Sequence, residues 1–428
     1  MMNSETSLRH LFYLEYKKQF SDGQENPIVY SRFGKAFYGS DQKYDPNNFQ
    51  QLIRTCNLKR LLRTPTNENQ KRFTEPVSYP GGSYYRPKDE SDKTLMFESR
   101  FESGNLQLAQ KVSESEYNLI LQNDINSKGH TQWFYFRVAN VRKGQKVKFN
   151  FLNMIKSKSL YTDGMKVLYY SEKRQQNLKT KGHEKGWSRG GEDISYFQNN
   201  YRKENQQLKD QRCYFTFTYT FTFNYEDDVV YFAYSQPYTY SELNNHLDEI
   251  SSRKLSYISR NTLCRTIAGN KCEYLTISNR VPVEVDRKKQ GVVITARIHP
   301  GESNASWMMK GVLDFLISDD SRADELRNKY IFKVIPMLNP DGVINGNYRC
   351  SLAGCDLNRR WKYPSELLHP TIYHTKKLIM RLSRDRPLAL YCDLHGHSRR
   401  KNVFFYGNSL TENSEATRIF PFLMSKLA

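Results

Sequence analysis

Residues 213–223 read Cys-Tyr-Phe-Thr-Phe-Thr-Tyr-Thr-Phe-Thr-Phe, an aromatic–threonine alternation that gives a helix no coherent face. Side chains along a strand point to opposite faces in turn. Tyr214, Thr216, Thr218 and Thr220 therefore share one side, and Phe215, Phe217, Tyr219, Phe221 and Phe223 the other, the pattern of a half-buried strand. Other short β-prone runs recur at 95–101, 117–122, 132–138, 146–152, 166–170 and 229–234, separated by Gly, Asn and Lys. Strands at this spacing predict an all-β antiparallel sandwich domain over residues 91–240. Aromatic residues make up 14% of the chain, with 30 Tyr and 24 Phe, which suits a folded, β-rich core. The polar stretch 172–186 is expected to form a loop. Residues 1–90 read as an irregular or partly disordered lead-in, with the turn pairs Pro46-Asn47, Pro80-Gly81 and Gly81-Gly82 in their polar second half.

The period then changes. Residues 241–253 predict a helix capped by Ser241, with Leu243, Leu247 and Ile250 on one stripe, joining the sandwich to a second domain over 241–428. Apolar strands at 291–298, 330–338 and 388–394 interleave with helices at 304–317 and 369–383. The first of these helices carries Trp307, Met308, Val312, Leu313 and Leu316 at helical spacing. Alternating strands and helices predict a mostly parallel or mixed α/β sheet with flanking helices.

The formal net charge is +20, from 65 Lys and Arg against 45 Asp and Glu. Such an excess suits polyanionic partners: nucleic acid, anionic membrane or acidic peptide tails. No zinc-finger spacing, RNP-like motif or compact basic helix occurs, so nucleic acid is not expected as a partner. The first 18 residues are broken by Glu5, Arg9, Glu15 and Lys17, which predicts no secretory signal. No apolar run approaches 18 residues, so no membrane span is expected. Seven scattered cysteines without a Cys-x-x-Cys spacing fit a reducing, cytoplasmic setting. Oligomeric state is not indicated.

Two strands end in metal-ligand chemistry. After 291–298 comes His299-Pro300-Gly301-Glu302-Ser303, where an imidazole and a carboxylate three residues apart on a turn can face one ion. Ligands in open α/β sheets gather beyond the carboxyl ends of strands. His-x-x-Glu alone is weak, and by itself reads more readily as a surface histidine and a helix-start glutamate favoured by the macrodipole. After 388–394 comes His395-Gly396-His397-Ser398, offering either His395 or His397 as a third ligand and leaving a fourth position for water. Between them lie Asn339-Pro340-Asp341-Gly342, a turn by composition, then Asn347-Tyr348-Arg349-Cys350 and Asp356-Leu357-Asn358-Arg359-Arg360-Trp361. Singly, each arginine is a solvated cation. As a set between two metal motifs, they offer a fork for a carboxylate and a second cation for a developing oxyanion.

These motifs, in this order, resemble the zinc metallocarboxypeptidase family, and its cytosolic carboxypeptidase branch in particular. That branch shares upstream phrases similar to Phe97-Glu98-Ser99, Gly104-Asn105-Leu106, Trp133-Phe134-Tyr135-Phe136 and Pro237-Tyr238-Thr239-Tyr240-Ser241. The resemblance runs from about residue 95 to the end. It implies one Zn²⁺ held by His299, Glu302 and His395, with His395 favoured over His397. It implies Asn358 and Arg359 as grips on the substrate's terminal carboxylate, and Arg349 as the group polarising the scissile carbonyl. Branch members remove glutamates from acidic protein tails, tubulin above all, which implies a cytoplasmic enzyme associated with the cytoskeleton or cilium.

The family's general-base Glu stands well after the third ligand, on a later strand. Here the residues after His395 contain only Glu412 and Glu415, neither at that position. A C-terminally incomplete sheet is therefore expected, from a truncated product, with a chain that lacks substantial peptidase activity as written. The rival expectations are a relative that binds acidic tails or zinc without cutting, and a deacylase of small N-acyl amino acids, which the sandwich domain disfavours.

Overall fold

The computed structural model describes residues 28–32, 83–85, 87, 89–127, 129–180, 186–202, 213–408 and 411–427. Most of the expected lead-in, including the turn pairs at 46–47 and 80–82, lies outside these residues. Two pieces of it are strands: β1 (Ile28–Ser31) and β2 (Ser83–Tyr84). With β3 (Met96–Glu98), β4 (Leu106–Ser113), β5 (Glu116–Leu121), β6 (Tyr135–Ala139), β7 (Lys146–Met154), β8 (Val167–Ser171), β9 (Ser188–Gly190), β10 (Glu192–Arg202), β11 (Cys213–Thr222) and β12 (Val230–Ala233), they form two sheets. One runs β10-β11-β7-β5-β4-β1-β2 and the other β3-β6-β12-β8-β9. The facing sides share one core of rings. Phe97, Phe134, Phe136, Phe149, Phe151, Phe217, Tyr219 and Phe232 are all at most 1% exposed.

This all-β domain departs from expectation in three places. It is not wholly antiparallel, because β5 pairs with β7 in parallel. Strand β11 is buried on both faces rather than one. Its Phe217 and Tyr219 enter the ring core, while Thr216, Thr218 and Thr220 are also buried. On that second face Thr218 Oγ1 donates to Asn150 Oδ1 (2.9 Å), and Asn150 donates on to Asn118 Oδ1 (3.1 Å), while Thr216 Oγ1 accepts from Asn199 Nδ2 (3.0 Å). Residues 172–186 are not simply a loop: α1 (Glu172–Lys179) follows β8, capped by the Ser171 side chain accepting from the Arg174 N–H. This helix buries no residue, so it has no apolar stripe for the sequence to reveal.

Helix α2 (Tyr240–Ser252) joins the domains with Leu243, Leu247 and Ile250 buried. Its cap is Thr239, not Ser241, in a reciprocal capping box with Glu242. The second domain has β13 (Ile258–Arg265), β14 (Lys271–Ile277), β15 (Gln290–Ala296), β16 (Tyr330–Ile335) and β17 (Leu388–Leu394) in the order β13-β14-β16-β15-β17. The sheet is mixed: β15 lies parallel to both β16 and β17, and the other pairs are antiparallel. Helices α3 (Ser303–Leu316), α4 (Ser321–Lys329), α5 (Pro340–Asn345) and α6 (Pro370–Asp385) flank it. The Asn-Pro-Asp-Gly stretch is more than a turn, since Asn339 caps α5 and Pro340 supplies its first residue. Residues 397–428 cluster as a separate unit, which contains α7 (Ala416–Leu427). Among the described residues no helix is long and apolar enough to cross a membrane.

Candidate metal centre

Strands β15 and β17 are parallel neighbours, with Thr295 opposite Asp393 and Ala296 opposite Leu394. Their carboxyl ends therefore emerge side by side, and two motifs distant in sequence share one site. After β15 the chain turns sharply at Arg297, a buried residue with φ 57°. Left-handed backbone is costly for a long side chain, so the surroundings must hold it. Arg297 Nε donates to its own loop at Pro300 O (2.8 Å), and Nη1 donates to Tyr238 O (3.0 Å) and Ser306 Oγ (2.8 Å). Gly342 lets α5 approach this turn, because a Cβ there would lie 2.3 Å from Pro300 Cγ.

The turn presents His299 and Glu302 together. His299 Nδ1 lies 3.0 Å from Glu302 Oε1, and His395 Nδ1 lies 3.0 Å from Glu302 Oε2. Gly396 N–H donates to the same Oε2 (2.8 Å). The rings' centroids are 5.0 Å apart. Among the described residues, the cluster able to hold a metal ion is His299, Glu302 and His395, with ligand atoms all within 4.8 Å of one another. His397, the competing candidate, belongs to the second unit, where its Nδ1 accepts from the N–H groups of Arg399 and Arg400.

Each imidazole has a carboxylate behind it. His299 Nε2 meets Asp356 Oδ1 (3.0 Å), and His395 Nε2 meets Asp393 Oδ2 (2.7 Å). Thr295 Oγ1 donates to Asp393 Oδ1 (2.8 Å) across the β15–β17 pair. Two nitrogens and one carboxylate facing inward, with the remote nitrogens anchored on acids, make the donor set and outer support that suit zinc. Asp356 opens the Asp356–Trp361 motif and Asp393 stands two residues before His395, and neither residue type marks itself there as a partner of a histidine. The signal for Asp393 is its proximity: it lies near the end of β17, two residues before His395, within reach of that ring.

The charges interlock. Burial alone disfavours the His395 cation, but Asp393 and Glu302 outweigh it and raise its pKa to about 10. The pKa of His299 is raised likewise, with Asp356 and Glu302 overcoming burial. Burial works against the Glu302 carboxylate, yet the two imidazoles bring its pKa down to about 2.

Arg349 is half-buried, and its Nε (2.8 Å) and Nη2 (2.7 Å) both contact Asp356 Oδ2. It thus adjoins the cluster through Asp356. Asp356 also caps the short turn Leu357–Arg359 by accepting from the Asn358 N–H (2.9 Å). The Asn358 amide is oriented by Trp361, whose Nε1 donates to its Oδ1 (3.0 Å). Arg359 is exposed, and its Nη1 donates to the Asn358 carbonyl (3.4 Å).

By fold this is a metallocarboxypeptidase-like protein. The described chain resembles the metallo-carboxypeptidase of Burkholderia cenocepacia (TM-score 0.57, 24% identity, 71% of each chain). It also resembles that of Pseudomonas aeruginosa (TM-score 0.54, 22% identity, 71% of this chain and 70% of that one). Residues 243–428 match the zinc carboxypeptidase family and residues 97–235 the cytosolic carboxypeptidase N-terminal domain. The chain belongs to the zinc carboxypeptidase family, in its cytosolic carboxypeptidase branch. It is 49% identical to cytosolic carboxypeptidase 2 of Xenopus tropicalis over 349 residues, 80% of this chain and 35% of the relative. The human cytosolic carboxypeptidase 2 is 46% identical over 343 residues, 79% of this chain and 37% of the relative. The chain thus spans about a third of the length of these curated relatives.

Proposed function

We propose that this chain acts as a zinc-dependent metallocarboxypeptidase that removes C-terminal residues, glutamate in particular, from acidic protein tails such as those of tubulin. The observation that carries this reading is the convergence of His299, Glu302 and His395 at adjacent strand ends, each imidazole backed by a carboxylate. Zinc bound there would lower the pKa of its water toward 7 and polarise the scissile carbonyl. Arg349, beside the cluster, would donate to the oxyanion as it develops, with Asp356 fixing the guanidinium meanwhile. Asn358 and Arg359 would hold the terminal carboxylate, which restricts cutting to chain ends. The net charge of +20 favours acidic tails as partners. The relatives' names support a cytosolic setting, and a cytoskeletal or ciliary substrate would refine it.

A second reading is a protein that binds acidic tails without cutting them. It is favoured because Glu302, Asp356 and Asp393 each already hold an imidazole, while Glu412 and Glu415 are exposed residues of the second unit. Zinc content measured alongside glutamate release from a polyglutamylated peptide separates the two. One zinc per chain with chelator-sensitive release supports the peptidase. One zinc with peptide binding and no release supports the binder. Absence of both zinc and peptide binding overturns both readings.

A further inference from the structure

The loop after β5 sends a buried carboxylate from the sandwich into the second domain. Asp124, 1% exposed, accepts the Tyr348 N–H at Oδ1 (2.6 Å) and the Arg349 and Cys350 N–H groups at Oδ2 (2.7 Å each). Three successive N–H groups turned to one side form an anion-binding concavity. Here the anion is a side chain of the other domain. The grip continues on both sides: Ile125 N–H donates to Asn347 Oδ1 (3.1 Å), and Asn126 Nδ2 donates to Leu352 O (2.8 Å). At the centre of the held segment is Arg349, whose guanidinium meets Asp356, which in turn meets His299.

We propose that Asp124 is a positioning residue for Arg349, so that the β-sandwich completes the catalytic site rather than serving as an appended module. The Arg349 backbone has its N–H on Asp124 and its side chain on Asp356, so the arginine is fixed at both ends. Loss of the first anchor leaves the side chain on a segment free to shift, and a displacement of about 1 Å is enough to disrupt a group that acts on a developing charge. A carboxylate is required because two oxygens must accept three donors. An asparagine keeps one oxygen and turns an NH₂ group toward N–H donors.

The test uses the full chain with ¹⁵N-arginine labelling. The Nε–H of Arg349, assigned by its loss in Arg349→Lys, is expected to be protected from exchange in the wild type by Asp356. Asp124→Asn is expected to abolish that protection. Ser103→Ala, which removes a different inter-domain bond to Val343 O (2.7 Å), is expected to retain it. If Asp124→Asn does not fold, Asp124→Glu displaces the carboxylate by one methylene and gives the same comparison. The second readout, which rests on the metallopeptidase reading, is affinity of the zinc-loaded protein for a phosphinic peptide that mimics the tetrahedral intermediate. Asp124→Asn is expected to weaken it about tenfold, while affinity for the matching carbonyl peptide changes less than about twofold. Undiminished Nε–H protection in the Asp124 variant overturns the proposal, as does an equal loss in Ser103→Ala. A wild type that ignores the phosphinic peptide sinks the metallopeptidase reading instead and leaves the exchange result to decide Asp124.

Discussion

The two domains each bury a sheet, but they bury different chemistry. The sandwich fills its interior with rings, such as Phe149 against Tyr219 (centroids 5.3 Å apart) and Tyr161 stacked on Phe217 (3.8 Å). The second domain has an aliphatic core of Leu275, Ile277, Val292, Val334 and their neighbours. Its strand ends, however, bury Thr295, Arg297, His299, Asn339 and Asp341. Ring burial is non-directional and adds up with area. Buried polar groups are worth having only when each finds its partner at the right angle. Damage to the first region should therefore lower stability while sparing the site in molecules that still fold, and damage to the second should do the reverse.

The sharpest break of that comparison is Glu302→Ala. It removes the one carboxylate that faces both imidazoles. Bound zinc, measured by elemental analysis after dialysis, is expected to fall from one per chain to none, with circular dichroism unchanged. The opposite break is Phe136→Ala at the centre of the ring core. Emptying a fully buried phenyl site costs about 3–5 kcal/mol of stability, read from the denaturant midpoint, with one zinc per chain kept in the folded fraction. Asp393→Asn sharpens the comparison from within the site. It leaves all three ligands in place but weakens the hold on His395 Nε2, so zinc affinity should fall about 10–100-fold with little change in stability. Equal zinc loss in the Phe136 and Asp393 variants would show that the regions are not separable.

The same contrast explains what could be read in the sequence. Ring and threonine alternation at 213–223 is a local pattern, and β11 follows it. The apolar strands ending at His299 and His395 are also local, so both site segments were legible. Their adjacency came only through the family resemblance: it depends on β17 lying against β15, a pairing that no spacing states. Strand β10 was missed because it is mostly polar on an outer edge, and β4 because Gln107 and Gln110 are buried among its apolar residues. The Thr239-x-x-Glu242 box is legible in the sequence, but Ser241 offers a competing hydroxyl two residues later. Asp124 and its partners are separated by more than 200 residues, and one aspartate after a strand carries no mark of where its carboxylate will go.

The smallest expected effect tests whether the polar network is as tightly coupled as its geometry implies. A zinc ligand must be a neutral imidazole, so the ion competes with the proton that Asp393 and Glu302 hold on His395. The metal-free pKa of that ring is raised to about 10, whereas Glu302 is held at about 2 and is already ionised. Near pH 7, then, zinc binding should release at least one proton, from His395, and none from Glu302. Affinity should rise by about tenfold per pH unit for that proton as pH increases toward 10, then flatten. Without metal the sign is opposite for stability: the protonated pair's contribution is fully present below the unfolded pKa near 6.5 and is lost as pH rises through about 10. Calorimetric titration of zinc in buffers of differing ionisation enthalpy counts the protons. If none is released at pH 7, His395 is neutral in the metal-free site, and Asp393 only orients the ring without holding its charge.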